Sequence, residues 1–257
     1  MEFQEFRDRV RDQFRIDLES YKENQLRRRI DNFMHKYQAQ NYAEFFNLLQ
    51  TKQTIYEAFL NHLTINVSEF FRDPKKFSEL ETIHLPNLLK SKQPLKIWSA
   101  ACSIGAEPFS MAIILDEMAP RVKHSILGTD VDRDILSRAA LGSYGFDAIK
   151  NVSKDRLNRY FTVNNKDYVI KKLIKDKVTF RHHDLLQDKY ATGFDLILCR
   201  NVTIYFTREA QDRVNKNFAR SLKAGGILFI GGSEMIFNYR QLGLEKISHG
   251  FYQKNRG

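Results

Sequence analysis

Residues 95–115 read LKIWSAACSIGAEPFSMAIIL, and this stretch decides the fold. Its first four residues form a short apolar run that reads as a buried strand. Small residues follow (Ser99, Ala100, Ala101, Cys102, Ser103), then Gly105, then an apolar-periodic segment that reads as a helix. Small side chains let backbone N–H groups approach a ligand closely, and the start of a helix offers unpaired donors. This is the layout of a nucleotide-type cofactor site at the end of a first parallel strand.

Working outward, a second apolar run at 125–128 ends in Gly128-Thr129-Asp130, which puts the Asp130 carboxylate at the next strand's tip. An acid roughly 20 residues beyond the glycine turn is suited to ribose hydroxyls. Residues 194–199, FDLILC, read as another buried strand that runs into Arg200-Asn201-Val202. Strand and helix alternate through residues 95–230, which predicts an open parallel α/β sheet. Gly105 stands without the GxGxxG of a dinucleotide fold, which disfavours a nicotinamide cofactor. S-adenosylmethionine carries no phosphate and needs no phosphate cradle.

Four segments occur in order: 66–73 (NVSEFFRD), 99–108 (SAACSIGAEP), 128–132 (GTDVD) and 199–206 (CRNVTIYF). Together they closely resemble the chemotaxis receptor glutamate methyltransferases of the CheR type, and the likeness covers nearly the whole chain. The resemblance implies a Rossmann-like S-adenosylmethionine-dependent methyltransferase sheet with a small N-terminal all-helical domain and a small β-subdomain insertion. The expected organisation is a helical receptor-docking domain at 1–63, a linker at 64–93 that contributes to the active site, and a methyltransferase domain at 94–257 with the insertion at about 160–178.

The chain has 257 residues, 42% of them apolar, enough for one large α/β domain and a small companion. Two cysteines, Cys102 and Cys199, do not make a disulfide framework, which points to a reducing cytosol. There is no signal-peptide core and no apolar run long enough to span a bilayer. The expected protein is cytoplasmic, monomeric and not inserted in a membrane, and the resemblance adds recruitment to membrane-anchored receptor arrays.

The net charge of +10 fits a nucleic acid, an anionic membrane or an acidic protein. An RNA methyltransferase would need stacking aromatics among its basic residues, which are not evident. No nucleic-acid partner is expected. A third reading, a receptor-binding module regulated by its cofactor, would make Arg72 and Tyr205 dispensable.

Helical apolar stripes recur in the first part of the chain: Phe3, Phe6, Val10, Phe14; Leu26, Ile30, Phe33, Tyr37; Phe45, Leu48, Leu49; and Ile55, Phe59, Leu63. On the second predicted helix, Arg27, Arg28, Arg29, His35 and Lys36 concentrate positive charge, either as a solvated face or, by the resemblance, as a docking surface for acidic, methylatable receptor helices. Further on, the lysine-rich stretch from Phe161, FTVNNKDYVIKKLIKDK, falls where relatives carry a β-subdomain. In some relatives a glycine-containing turn there grips a receptor peptide. Here the turn is Asn164-Asn165-Lys166, without glycine, so the protein is predicted not to depend on a C-terminal tether.

Methyl transfer to a glutamate carboxylate is an in-line displacement by a nucleophile already ionised at neutral pH, so no general base is needed. The enzyme must align the groups and exclude water. Arg72 and Tyr205 are the expected catalytic residues, as a planar fork and a phenol that orient the carboxylate. Arg72 alternatively contacts the cofactor's own carboxylate. By resemblance, Asn66, Ser68, Arg72, Ala100, Gly105, Glu107, Asp130, Asp184, Leu185, Asn201 and Val202 bind the cofactor, S-adenosylmethionine, whose product is S-adenosylhomocysteine. Glu107 would hold the methionine ammonium, or else cap its helix. Asp130 would take the ribose hydroxyls, or cap the following helix. Asp184 would accept from the adenine amino group beside Leu185, and Asn201 and Val202 would line the methionine end.

Relatives commonly read Gly-Glu-Glu-Pro-Tyr where this chain has Gly105-Ala106-Glu107-Pro108-Phe109; Glu107 is the acid retained. No metal is expected, because the adjacent His182 and His183 point to opposite faces of a strand. Residues 201–205 lack the prolines of the Asn-Pro-Pro-Tyr motif of amino-group methyltransferases.

Overall fold

The apolar stripes of the N-terminal part become four helices: α1 (Phe3–Phe14), α2 (Glu23–Lys36), α3 (Tyr42–Thr51) and α4 (Gln53–Leu63). The structure is a computed structural model that describes residues 1–63, 68–91 and 94–256. Phe6, Val10, Ile30, Phe33, Phe45, Leu49 and Phe59 are the centre of the helical core, each at most 2% exposed. Phe33, Phe45 and Phe59 pack ring against ring at 5.3–5.8 Å between centroids. Asn41 caps α3 by accepting from the Glu44 amide, satisfying a donor that the helix itself cannot.

The chain divides into two compact units, Met1–Asn66 with Val202–Val214, and Val67–Asn201 with Asn215–Gly257. In the first unit, residues 202–214 are tied to the helices by backbone bonds. The Lys22 amide donates to the Tyr205 carbonyl at 2.9 Å, and the Thr207 amide to the Ser20 carbonyl at 2.8 Å.

In the second unit, α5 (Pro74–Glu79), a π turn (Leu80–His84) and α6 (Leu85–Ser91) run as one helical stretch. Pro74 opens it at a position where its missing N–H costs nothing. Pro86 is accommodated just beyond the wider π turn, where a regular α-helix would clash. Phe77, Leu80, Leu85 and Leu88 are buried in the same core as the sheet, so this part of the expected linker is structural.

The sheet elements follow: β1 (Lys96–Ala100), α7 (Ala106–Met118), β2 (Ser125–Asp130), α8 (Arg133–Leu141), β3 (Ser143–Tyr144), α9 (Phe146–Ile149), α10 (Lys154–Tyr160), β4 (Phe161–Asn164), β5 (Asp167–Ile170), α11 (Lys172–Lys175), β6 (Val178–His182), β7 (Phe194–Cys199), α12 (Arg208–Ser221), β8 (Leu222–Ile230), β9 (Leu244–Ser248) and β10 (Phe251–Lys254). Seven strands form one sheet in the order β6-β2-β1-β7-β8-β10-β9. The first five are parallel; β10 enters antiparallel between β8 and β9. The expected Rossmann-like sheet is therefore present, with its order reversing between β1 and β7, where such folds open a ligand crevice.

Helix α7 is apolar nearly all round, because it is buried along almost its whole length. A separate three-stranded sheet, β3-β5-β4, is the small β-subdomain. It draws in Ser143–Tyr144, which lies upstream of the expected insertion, since the two-residue β3 carries too few residues to read as a strand. At its β4–β5 turn Asn165 takes a left-handed conformation (φ 55°), which asparagine tolerates.

Candidate active site

The loop leaving β1 is built on left-handed backbone. Ala101 (φ 56°), Ser103 (φ 50°) and Gly105 (φ 80°) alternate with ordinary residues and turn the chain into α7. At Gly105 a Cβ would lie 2.9 Å from Phe180 Cζ and 3.0 Å from Ala139 Cβ, so the residue is fixed by conformation and by packing together. The loop is pinned to the tip of β2. The Cys102 amide donates to the Thr129 carbonyl at 2.8 Å, and the Ser103 amide to Asp130 Oδ2 at 2.8 Å. Asp130 Oδ1 also accepts from the Asp132 amide at 3.1 Å. Burial pushes the Asp130 carboxyl up, against these two amides. The helix-capping role falls to Asp132, whose Oδ1 accepts from Asp134 and Ile135, leaving Asp130 facing the loop. Ala100 is buried at the end of β1 and contributes backbone.

Glu107 lies in the first turn of α7. Its Oε1 accepts from Ser99 Oγ at 2.7 Å, and its Oε2 is 3.5 Å from Arg200 Nη1. Burial pushes this carboxyl up, while Arg200, the Ser99 hydroxyl and Arg72 push it back. Arg200, one residue beyond β7, is itself buried, and its Nε and Nη1 have no hydrogen-bond partner among the described residues. Ala106 and Phe109 are fully buried, with Phe109 against the Phe180 ring at 5.5 Å. A tyrosine hydroxyl there would need a partner inside the core.

Arg72 is held between two left-handed residues, Phe71 (φ 51°) and Asp73 (φ 60°). The preceding chain is anchored: the Phe70 amide donates to the Ala148 carbonyl at 2.8 Å and the Phe71 amide to Ser110 Oγ at 3.0 Å. Such strain persists only where surrounding contacts enforce it, and here it aims a half-buried guanidinium whose charge acts on Glu107. Ser68 is half-buried at the start of this segment, and Asn66 lies outside the described residues.

After β7, Asn201 is left-handed (φ 62°), and its amide donates to Glu234 Oε2 at 2.8 Å. The Gly231 amide donates to the same oxygen at 2.6 Å. Beyond β6, Asp184 Oδ1 accepts from the Leu186 amide at 2.7 Å and Oδ2 from Gln187 Nε2 at 3.1 Å, with Leu185 buried beside it. The structure thus brings together Arg72, Glu107 and Arg200 as one electrostatic cluster and binds Asp130 to the loop after β1. Val202 and Tyr205 belong to the first unit, where the Arg29 guanidinium stands 6.0 Å from the Tyr205 ring centroid.

Arg29 was expected on the basic docking face of α2, but it is half-buried, and its Nη2 donates to the His62 carbonyl. Arg27, Arg28, His35 and Lys36 are exposed. Helical spacing turns successive residues by a third of a turn, so three adjacent arginines cannot share one face.

Ser99, Arg200 and Glu234 were not singled out as site residues from the sequence, yet the structure ties them to Glu107 and Asn201. Ser99 and Arg200 lie within the quoted segments and Glu234 in the loop after β8, but their pairings join separate strands and no local signal announces them.

A largely buried carboxylate held between the Ser99 hydroxyl and Arg200 at the start of α7 suits the ammonium of an amino-acid group, and Asp130 at the tip of β2 suits a nucleoside. The donor set fits S-adenosylmethionine. Two family patterns match the chain: "CheR methyltransferase, all-alpha domain" over residues 1–64 and "CheR methyltransferase, SAM binding domain" over residues 66–251. The chain is 41% identical to the chemotaxis protein methyltransferase of Listeria monocytogenes over 93% of its own length and 92% of that protein's. It is 34% identical to chemotaxis protein methyltransferase 1 of Pseudomonas aeruginosa, over 87% and 86% of the two chains. The chain belongs to the CheR methyltransferase family and carries that family's S-adenosylmethionine-binding domain.

Proposed function

We propose that this methyltransferase esterifies glutamate side chains on the cytoplasmic helices of chemoreceptors, producing the glutamyl methyl esters of chemotactic adaptation. The observation that carries this reading is the likeness to chemotaxis protein methyltransferases along almost the whole chain. Glu107 takes the methionine ammonium, Asp130 the ribose hydroxyls, and Asp184 and Leu185 the adenine. Ala100 and Gly105 provide close backbone, with Asn66, Ser68, Asn201 and Val202 around the methionine end. When bound, S-adenosylmethionine supplies a methyl on a positive sulfonium, which departs as the neutral thioether S-adenosylhomocysteine. The protein's task is alignment, since the target carboxylate is already ionised and in-line geometry is worth several powers of ten in rate. The effect of Arg72 on Glu107 favours a place for Arg72 at the cofactor's amino-acid end; Tyr205 then orients the incoming carboxylate.

Residues 1–63 dock the receptor through the exposed cations of α2, and residues 64–93 add active-site groups to the methyltransferase domain at 94–257. The Asn164-Asn165-Lys166 turn supports independence from a C-terminal receptor tether. The enzyme acts as a cytoplasmic monomer recruited to receptor arrays.

The test is transfer of labelled methyl to receptor cytoplasmic fragments with and without their C-terminal peptide, with structured RNA in parallel. Label released as methanol by mild alkali, equal for both fragments and absent from RNA, is the expected result. Alkali-stable label or labelled RNA overturns the substrate, and label only on the peptide-bearing fragment overturns tether independence.

A further inference from the structure

The Arg200 side chain is 3% exposed and packs against a pair of touching aromatic rings, 5.3 Å from the Phe77 centroid and 4.6 Å from that of Phe229, which stand 6.0 Å from each other. Burying a guanidinium is costly unless charge and hydrogen bonds compensate, and ring faces return only a small part of that cost. The carboxylate placed to compensate is Glu107, at 3.5 Å, too long and poorly aligned for a strong hydrogen bond. The rings instead restrict where the guanidinium sits. On its far side Glu107 is fixed by Ser99 Oγ. The carboxylate is therefore held at one oxygen by a hydroxyl and at the other by a cation that aromatic packing keeps in place.

The groups facing Glu107 come from each neighbouring element. Arg200 follows β7, Arg72 precedes α5, Ser99 lies on β1, and Cys102 and Cys199 are buried thiols at the ends of β1 and β7. Burial and the nearby carboxylates hold both thiols well above their ordinary range, so they stay neutral. Arg200 and Arg72 are the positive charges acting on this carboxylate, and of the two Arg200 has the larger influence.

We propose that Arg200 is a positioning residue for cofactor binding: it keeps the Glu107 carboxylate charged and aimed at the ammonium of the cofactor's amino-acid end. The inference rests on the reading of Glu107 as the ammonium partner. Without Arg200, a largely desolvated Glu107 would take up a proton as pH falls and lose its hold on the ammonium, leaving the nucleoside half of the site unchanged.

Calorimetric binding of S-adenosylhomocysteine and of methylthioadenosine, which lacks the amino-acid end, to wild type, Arg200→Met, Arg200→Lys, Glu107→Gln and the Arg200→Met/Glu107→Gln double variant between about pH 6 and pH 9 tests this. Arg200→Met is expected to lose about tenfold or more of S-adenosylhomocysteine affinity at the acid end, a factor of ten being about 1.4 kcal/mol. It should recover part of that loss at the alkaline end and bind methylthioadenosine as wild type does. Arg200→Lys should keep the wild-type pH profile, and Arg200→Met should add nothing to Glu107→Gln. Equal loss of both ligands, a pH-independent loss, or unchanged affinity overturns the proposal. Unchanged affinity in Glu107→Gln alone removes the ammonium reading instead. Should Arg200→Met not fold, Arg200→Gln carries the same comparison; failure of every Arg200 variant to fold assigns the residue to the fold and overturns the proposal.

Discussion

Glu234 Oε2 accepts the Asn201 amide at 2.8 Å and the Gly231 amide at 2.6 Å, so one carboxylate joins the loops that follow β7 and β8. A Cβ on Gly231 would lie 2.7 Å from that oxygen and 2.9 Å from the Asn201 nitrogen, so the join leaves no room for a side chain. Asn201 is held left-handed beside Arg200, and Glu234 secures this geometry from a distance of 33 residues in sequence. Glu234→Ala strands two amides in a closed site and is expected to cost about 2–4 kcal/mol. Glu234→Gln, which keeps an acceptor, should cost less. Denaturant melts give the stability, and calorimetry with S-adenosylhomocysteine should show weakened binding in both.

Gly105→Ala combines a left-handed backbone with a Cβ pressed to within 2.9 Å of the Phe180 ring. The expected destabilisation is about 2–4 kcal/mol from the two sources together. Trimming the ring with Phe180→Leu should return the packing part and leave the conformational part. A double-mutant cycle on chemical melts measures the coupling, and additive effects would show that the ring contact is unimportant.

Two phenols should make the fold sensitive to alkali. Tyr42 donates to Asp31 at 2.7 Å, and burial followed by that bond pushes its phenol up to about 12; burial and the carboxylates of Glu117 and Asp116 do the same for Tyr160. The folded chain therefore keeps protons that the unfolded chain sheds above the ordinary tyrosine value. Their stabilisation is complete below that value and is lost as pH rises toward about 12. Melts at about pH 8 and pH 11 should show a fall in stability that Tyr42→Phe and Tyr160→Phe each reduce.

Cys102 and Cys199 are buried, with thiols pushed well above their usual range by burial. An aromatic disulfide reagent should label neither in the folded enzyme near neutral pH and both on unfolding. Rapid labelling of the native protein would contradict their burial beside the Glu107 site. Bound S-adenosylhomocysteine should slow what labelling occurs through local opening.

Sequence alone determined a great deal here, because much of this fold is written in short-range patterns. The stripes of α1 to α4 are set by helical period, and the runs at β1, β2 and β7 by length and apolarity, so each element was legible within its own residues. The small residues around Gly105 announced a cofactor loop, since close backbone approach requires them. Beyond that point the chain carries no local signal. That Arg29 turns inward to His62 while Arg27 and Arg28 face water depends on which side of α2 the other helices cover. Ser143–Tyr144 becomes a strand because β5 pairs with it. Asp132, not Asp130, caps α8, and Arg200 meets Glu107 across the reversal between β1 and β7. These relationships join atoms far apart in the chain, and burial decides their energies: a carboxylate or guanidinium means little until water has been removed from around it, and only the tertiary structure removes it.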